Sequence, residues 1–233
     1  MKAALAPVDA GHDSVGAAPA TLAAAATGEI AVTATRVDDV PGRLAEEWQA
    51  LARDAAEPNS FAEPWLAGAG LRNLADDVEV TLLEVWLRGA GEPLLLGVLL
   101  VCIGAGYGRV RVRHLQNWKH FHNFLGTPLV RAGHEKRFWS AVLAYLDADR
   151  RVPGFFHLNG LVEDGPVHAG LAAAARDTGR DCATVHREVR AELRSTLSPD
   201  LYFEQNVRKK KRKEIQRLIN RLGELGAVRT RQL

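Results

Sequence analysis

The segment "NWKHFHNFLGTPLV" (117–130) concentrates side chains that could do chemistry. Trp118 offers a flat apolar surface. His120 and His122 offer imidazoles that titrate near neutrality, and Asn123 offers an amide that both donates and accepts. His120 and His122 stand two apart, a spacing that puts both on one face of an extended segment. Aromatic surface beside a few convergent polar groups is the composition of a substrate wall. A structural role competes with this one, in which the aromatics of a buried loop fill the core and the histidines bond to backbone. The segment holds no carboxylate or cysteine beside its histidines, so no metal site is expected.

Other stretches carry less. "GAGYG" (104–108) has the glycines of a phosphate loop, but such a loop must lead into a helix whose first amides hold the phosphate. Here the glycines lead into "RVRVR", so a hairpin turn is expected. Neither a G-x-S-x-G nor an H-E-x-x-H pattern occurs. "EDGP" (163–166) reads as a turn and a helix start. Cys102 and Cys182 stand far apart, which fits a reducing compartment and a cytoplasmic location. No stretch approaches the ~20 apolar residues of a membrane span.

Near the other end of the chain, "NVRKKKRKEIQRLINRLGELGAVRTRQL" carries a second candidate. Between Arg208 and Arg221 there are eight Lys/Arg against one acid, Glu214, a local charge of +7. The whole chain is only +2, so the remainder is 2 − 7 = −5. A protein that wraps a phosphate backbone spreads positive charge over a face, so no specific nucleic-acid partner is expected. Lys209 and Arg212 are three apart and therefore adjacent on a helix, a pair suited to phosphate. Ile215, Leu218, Ile219, Leu222 and Leu225 fall at helical spacing, so this side of the helix is expected to pack on a core.

The remaining pattern supplies the elements that must position these groups. Alternation predicts strands over 29–37, 78–89, 94–103, 109–116, 154–161 and 182–193, with a further strand starting at 227. On the fourth of these strands Arg109, Arg111 and Arg113 would share one face: a solvated sheet face, or a cationic wall. Leu44, Trp48, Leu51 and Ala55 mark a helix within 40–56. Further helices are expected over 62–75, 135–151, 165–180, 198–206 with Ser198 as cap, and 207–226 stopped by Gly226. Residues 1–28 read as a disordered Ala/Gly/Pro-rich leader. The order indicates an α/β or α+β fold, with a largely antiparallel sheet flanked by helices on both faces.

In order along the chain, "LAEEWQALARDAAEPNSFAEPWLAGAGLRNL", "NFLGTPLV", "FWSAVLAYL", "LNGLVEDGP", "GRDCATVHREVRAEL" and "KKKRKEIQRLINRLGELGAV" resemble the GNAT-type acyltransferases with a duplicated fold. These are the CelD/BioF2-like proteins, related to the FemAB aminoacyl transferases. The likeness runs from about residue 30 to the end. It implies a GNAT-like domain over 29–206, a linking helix over 207–226, and at 227–233 the first strand of a second GNAT-like half. It implies an N-acyltransferase that moves an acyl group from acyl-CoA, such as acetyl-CoA, to a small-molecule or glycan-linked amine. Acyl-CoA binding is expected mainly in the second half, in cis or in trans. This chain would then supply the acceptor side through Trp118, His120, His122 and Asn123, with Lys209 and Arg212 nearby. The family's association with cellulose and exopolysaccharide gene clusters implies an envelope-polysaccharide acceptor. The alternatives are a non-catalytic binding module that keeps the fold and, less favoured, a nucleic-acid binder using Lys209–Lys213.

Overall fold

The computed structural model describes residues 28–36, 42–75, 78–191, 195–227 and 229. The expected leader, Gly28 apart, and most of the strand expected from 227 onward lie outside the described residues. The chain divides into two units, Met1–Ala183 and Thr184–Leu233.

The first unit runs β1 (Glu29–Arg36), α1 (Gly42–Arg53), a 3-10 turn (Ser60–Ala62), α2 (Pro64–Leu74), β2 (Val80–Arg88), β3 (Leu94–Gly104), β4 (His114–Asn117), β5 (Leu129–Val130), α3 (Glu135–Ala148), β6 (Phe156–His157) and α4 (Pro166–Asp177). Among the described residues these strands form one six-stranded sheet in the order β1-β2-β3-β4-β6, with β5 also paired to β3. Every pairing is antiparallel except β4 with β6. The fold is mixed α+β with helices on both faces, as the patterning predicts.

Strand alternation sorts the side chains of β2 cleanly. Leu83, Val85 and Leu87 face Phe138, Trp139, Val142 and Leu143 of α3 and Val167, Leu171 and Ala174 of α4. Leu82 faces Leu44, Trp48 and Leu51 of α1 and Ala67 of α2. Strand β3 does not alternate cleanly. Leu96 and Leu99 point to the α3 side, while Leu95 and Val98 point to the α1 side. The parity switches because Val85 pairs with Gly97 while Trp86 pairs with Leu95, so Leu96 has no partner of its own on β2. This is a β-bulge, and it turns Leu96 and Gly97 to the same side. The ring of Phe138 lies against Gly97, where a Cβ would overlap it. Each fully buried aliphatic side chain contributes about 1.5–3 kcal/mol, so β3, apolar on both faces, is the main apolar contribution to the fold.

A carboxylate from a distant segment closes the other layer. The α4 N-cap, Gly165, has no side chain to cap with. Glu57 supplies the acceptor instead, taking the Val167 N–H at 2.9 Å. A Cβ on Gly165 would strike this carboxylate. A negative group at a helix N-terminus satisfies an orphan donor and complements the macrodipole.

Three expected strands are shorter or absent. Residues 109–113 are exposed loop, and only His114–Asn117 is strand. The ladder has no partner for 109–113, because β3 ends at Gly104, opposite His114. Tyr107 and Val110 exchange backbone hydrogen bonds of 2.8 and 3.1 Å, closing a tight turn with Gly108 at φ +59°. Arg109, Arg111 and Arg113 therefore do not share a sheet face. Over 154–161 only Phe156–His157 is strand, because Gly160, at φ +71°, turns the chain away. Residues 182–191 alternate but form no strand.

The second unit holds α5 (Pro199–Asn206) and α6 (Lys209–Leu225). Ser198 caps α5 as expected, accepting the Leu201 N–H at 3.3 Å. The apolar stripe of α6 is not packed on a core. Leu218, Ile219 and Leu222 are about half exposed, and Leu225 is 87% exposed. Helix periodicity identifies an apolar face but not what covers it.

The contact of Phe138 with Gly97 is testable. Gly97→Ala should cost about 1–3 kcal/mol, from the overpacking it forces. In that background Phe138→Leu should cost less than in the native chain. Urea unfolding of the double-mutant cycle measures this, and strictly additive costs would contradict the contact.

Candidate functional site

Strand β3 serves two partners on the same edge. Val101–Gly104 pair with β4, while Gly97 and Val98 pair with β5. Between them the chain leaves the sheet after Trp118, whose N–H donates to the Leu100 carbonyl at 2.7 Å, and rejoins at Leu129. The excursion over 119–128 is the ordered loop expected from its lack of period. It borders a cavity of about 30 Å³ lined by Asn59, Asn117, Trp118, Asn123 and Thr127. That volume holds one water molecule or one small polar group.

Three polar side chains fix the loop. Asn117 is buried, donates from Nδ2 to the Gly126 and Asn159 carbonyls at 2.9 and 3.0 Å, and accepts the Asn159 N–H at 2.8 Å. Asn59 donates to the Thr127 carbonyl at 2.6 Å and accepts the Phe61 N–H at 3.1 Å, which starts the 3-10 turn. Thr127 Oγ1 accepts the Val162 N–H at 3.3 Å. Gly126 packs so closely on the Asn159 carbonyl and the Asn117 amide that no Cβ fits there.

The predicted residues of this loop come together. Trp118 is buried against Val80 and Cys102. His120 lies beside it, with ring centroids 5.2 Å apart, and its Nε2 faces Gly70 of α2. The His120 Nδ1 accepts the His122 N–H at 3.3 Å, so the neutral ring carries its proton on Nε2. Burial pushes the His120 pKa down, the charge of His122 pushes it further, and the Asn123 amide opposes them weakly. His120 is therefore neutral at pH 7. His122 is exposed, with its ring 3.8 Å from that of Phe121. Asn123 is buried, and its Oδ1 lies close enough to the His120 ring to favour the charged imidazole but makes no hydrogen bond of good geometry. A buried carbonyl of this kind is a costly vacancy for a donor.

Lys209 and Arg212 sit in the first turn of α6, in the second unit. The helix brings this pair together one turn apart.

Sequence reasoning passed over the exposed aromatics of the 119–128 loop and of α2. Phe121 is 84%, Phe124 62% and Trp65 60% exposed. Phe61 meets Phe124 edge-on at 5.7 Å. The only sequence signal of Phe121 and Phe124 is an aromatic in a segment without helical or strand period, and Trp65 stands in a predicted helix. Asn59, Asn117 and Thr127 had no signal, because each acts on a partner far along the chain.

Among the described residues no group of three His, Cys, Asp or Glu side chains could hold a metal, and no helix is long and apolar enough to cross a membrane. Burial raises the pKa of the Cys102 thiol, so it is protonated at neutral pH. Comparison with protein-family models, curated proteins and solved structures returns no match to this chain.

Two unfolding measurements test this packing. Asn117→Ala removes three hydrogen bonds from a buried site and should cost about 3 kcal/mol, measured by thermal or urea unfolding. The second concerns pH. His120, His134 and His157 all have pKa values lowered from 6.5, in each case chiefly by burial. The unfolded chain then binds more protons than the folded one just below pH 6.5. Stability is full above that value and falls as pH drops below it, toward the folded pKa values. Unfolding followed between pH 7.5 and 5.5 should show this fall, and it should shrink in His120→Gln.

Proposed function

We propose that this chain is the acceptor-binding side of a GNAT-type N-acyltransferase. The resemblance of its ordered segments to that group motivates the reading. The single observation that carries it is the buried Asn123 carbonyl, which has the neutral His120 ring beside it but no hydrogen bond of good geometry, set in a cleft where β4 and β5 part along β3. A primary amine supplies the N–H such an acceptor needs. The adjacent His120 is neutral, so it adds no charge repulsion toward an amine. The exposed Phe121, Phe124 and Trp65 offer apolar surface to whatever carries that amine. Holding the amine in one orientation is the contribution proposed for these residues, and orientation alone can account for several kcal/mol of a transfer barrier.

The acyl donor is assigned elsewhere, because the first unit does not fit the pyrophosphate of acyl-CoA at α3 or α4. The Glu135 carboxylate accepts the Gly133 N–H at 2.9 Å at the start of α3. The Glu57 carboxylate occupies the start of α4. Glu57 takes a first-turn amide that a phosphate would use, and both carboxylates repel the phosphate charge. We therefore place acyl-CoA binding in a second GNAT-like half, in cis or in trans. That half would supply the activated acyl group. The link to an envelope polysaccharide rests on the family resemblance alone. The occupied helix starts equally favour a second reading, a non-catalytic module that binds an amine-bearing ligand in the same cleft.

Calorimetry with acetyl-CoA separates the two. The present chain alone should give no binding, and the chain joined to or mixed with a second half should bind. In that active form Asn123→Ala should raise the KM for the amine about tenfold, as expected for loss of one buried hydrogen bond, and leave acetyl-CoA affinity unchanged. Absence of acyl-CoA binding in every form would leave the binding-module reading. An unchanged amine KM in Asn123→Ala would overturn the assignment of the cleft.

A further inference from the structure

Among the described residues strand β1 is an open edge of the sheet. Its eight residues pair with β2 in unbroken register, from Glu29 opposite Arg88 to Arg36 opposite Thr81. Among the described residues its other edge pairs with nothing. Natural edges are guarded along their length by proline, charged side chains, bulges or by being very short. "EIAVTATR" is eight residues long without a bulge or proline, and its only charges, Glu29 and Arg36, stand at its two ends. The opposite margin of the sheet, β6, is two residues long and needs no guard.

Beside this edge runs an open groove of about 750 Å³. Ile30 and Val32 of β1 form one wall. Ala141, Ala144 and Tyr145 of α3 form the other, with Lys136, Arg137 and Ser140 along the same helix. The residues at 136–137, 140–141 and 144–145 recur at helical spacing, so they make one stripe of α3 facing the strand. The stripe is small in the middle and basic at one end. No acidic residue lines the groove. Lys136 is bridged to Asp177 at 2.6 Å, while Arg137 makes no ion pair or side-chain hydrogen bond among the described residues.

We propose that β1 and α3 bind an extended acidic peptide as an added strand. The backbone of the peptide would pair with the free edge of β1, its alternate side chains would enter the groove, and an acidic group would meet Arg137. An edge strand beside a helix-walled groove is the physical basis of peptide recognition by strand addition. Charge selects the occupant. Lys136 and Arg137 line the groove and no acid does, so an acidic segment is complementary to it. The inference is independent of the acyl-transfer reading, because it uses no residue of the β3 cleft.

A displayed library of random decapeptides, panned against the full chain, tests it. The expected winners alternate aliphatic residues with polar ones and carry an acid near one end. The best peptide, measured by fluorescence anisotropy, should bind about tenfold more weakly to Arg137→Glu, as expected for a lost charged contact. N-methylation along the peptide should abolish binding at every second residue only, because an edge-paired strand donates alternate N–H groups to its neighbour. Ala144→Gln should block binding by filling the groove while leaving the unfolding midpoint unchanged. An unenriched library, winners without an acid, or methylation that acts without alternation would each overturn the proposal. So would a stable dimer with the β1 amides protected from exchange, which would make a second copy the occupant.

Discussion

The structure depends most on one irregularity in one strand. β3 holds three partners, β2 on one side and both β4 and β5 on the other. It can do so while apolar on both faces because the extra residue at Leu96 resets its alternation. Without the bulge, a side chain other than Gly97 would meet the ring of Phe138, and α3 could not settle on the sheet. With it, α3 and α4 cover one face and α1 and α2 the other. The divergence of β4 and β5 opens the cleft, so the candidate site arises from the same strand that organises the core. Bulges are often found beside functional sites because they aim neighbouring groups.

The polar interior has a matching logic. Asn117, Asn59 and Glu57 each tie segments far apart in the chain, and each bonds to backbone rather than to another side chain. Bonds of this type satisfy buried backbone groups that no helix or ladder reaches. They hold the 119–128 loop in a defined shape although it has no secondary structure of its own. Among the described residues three buried side-chain atoms make no hydrogen bond, Glu57 Oε2, His134 Nδ1 and Asn123 Oδ1, and of these Asn123 lies in the wall of the cleft. The Glu57 carboxylate at the start of α4 serves order in the first unit, and it also occupies an amide that an anion would use.

Much of the fold is legible in the sequence, for definite reasons. The Leu44, Trp48, Leu51 spacing locates α1, and Ser198 marks the start of α5. The glycines at 104–108 signal a turn because the segment after them is not helical, and the Tyr107–Val110 turn agrees. The expected strands that do not form share one cause. Alternation at 109–113 and 182–191 is a property of the segment, whereas a strand requires a partner, and partners are not local. The stripe on α6 is equally clear as a periodicity, yet it lies uncovered. The cluster of Trp118, His120, His122 and Asn123 is legible because it is contiguous. The residues that shape it, Asn59, Asn117 and Thr127, are not, because the contacts of Asn117 and Asn59 span 42 and 68 positions. The groove beside β1 is invisible for the same reason: it exists only where a strand and a helix far apart in the chain come together.

The central claim is that the cleft between β4 and β5 receives an amine. The side-chain amide of Asn123 and the ring of His120 report on it directly by nuclear magnetic resonance. A titration with primary amines, from methylamine to an amino sugar, should shift the Asn123 Nδ2 and His120 signals together and saturably. The β1 and α3 signals should stay fixed. Shifts confined to other parts of the chain, or none at these two side chains with any amine tried, would contradict it.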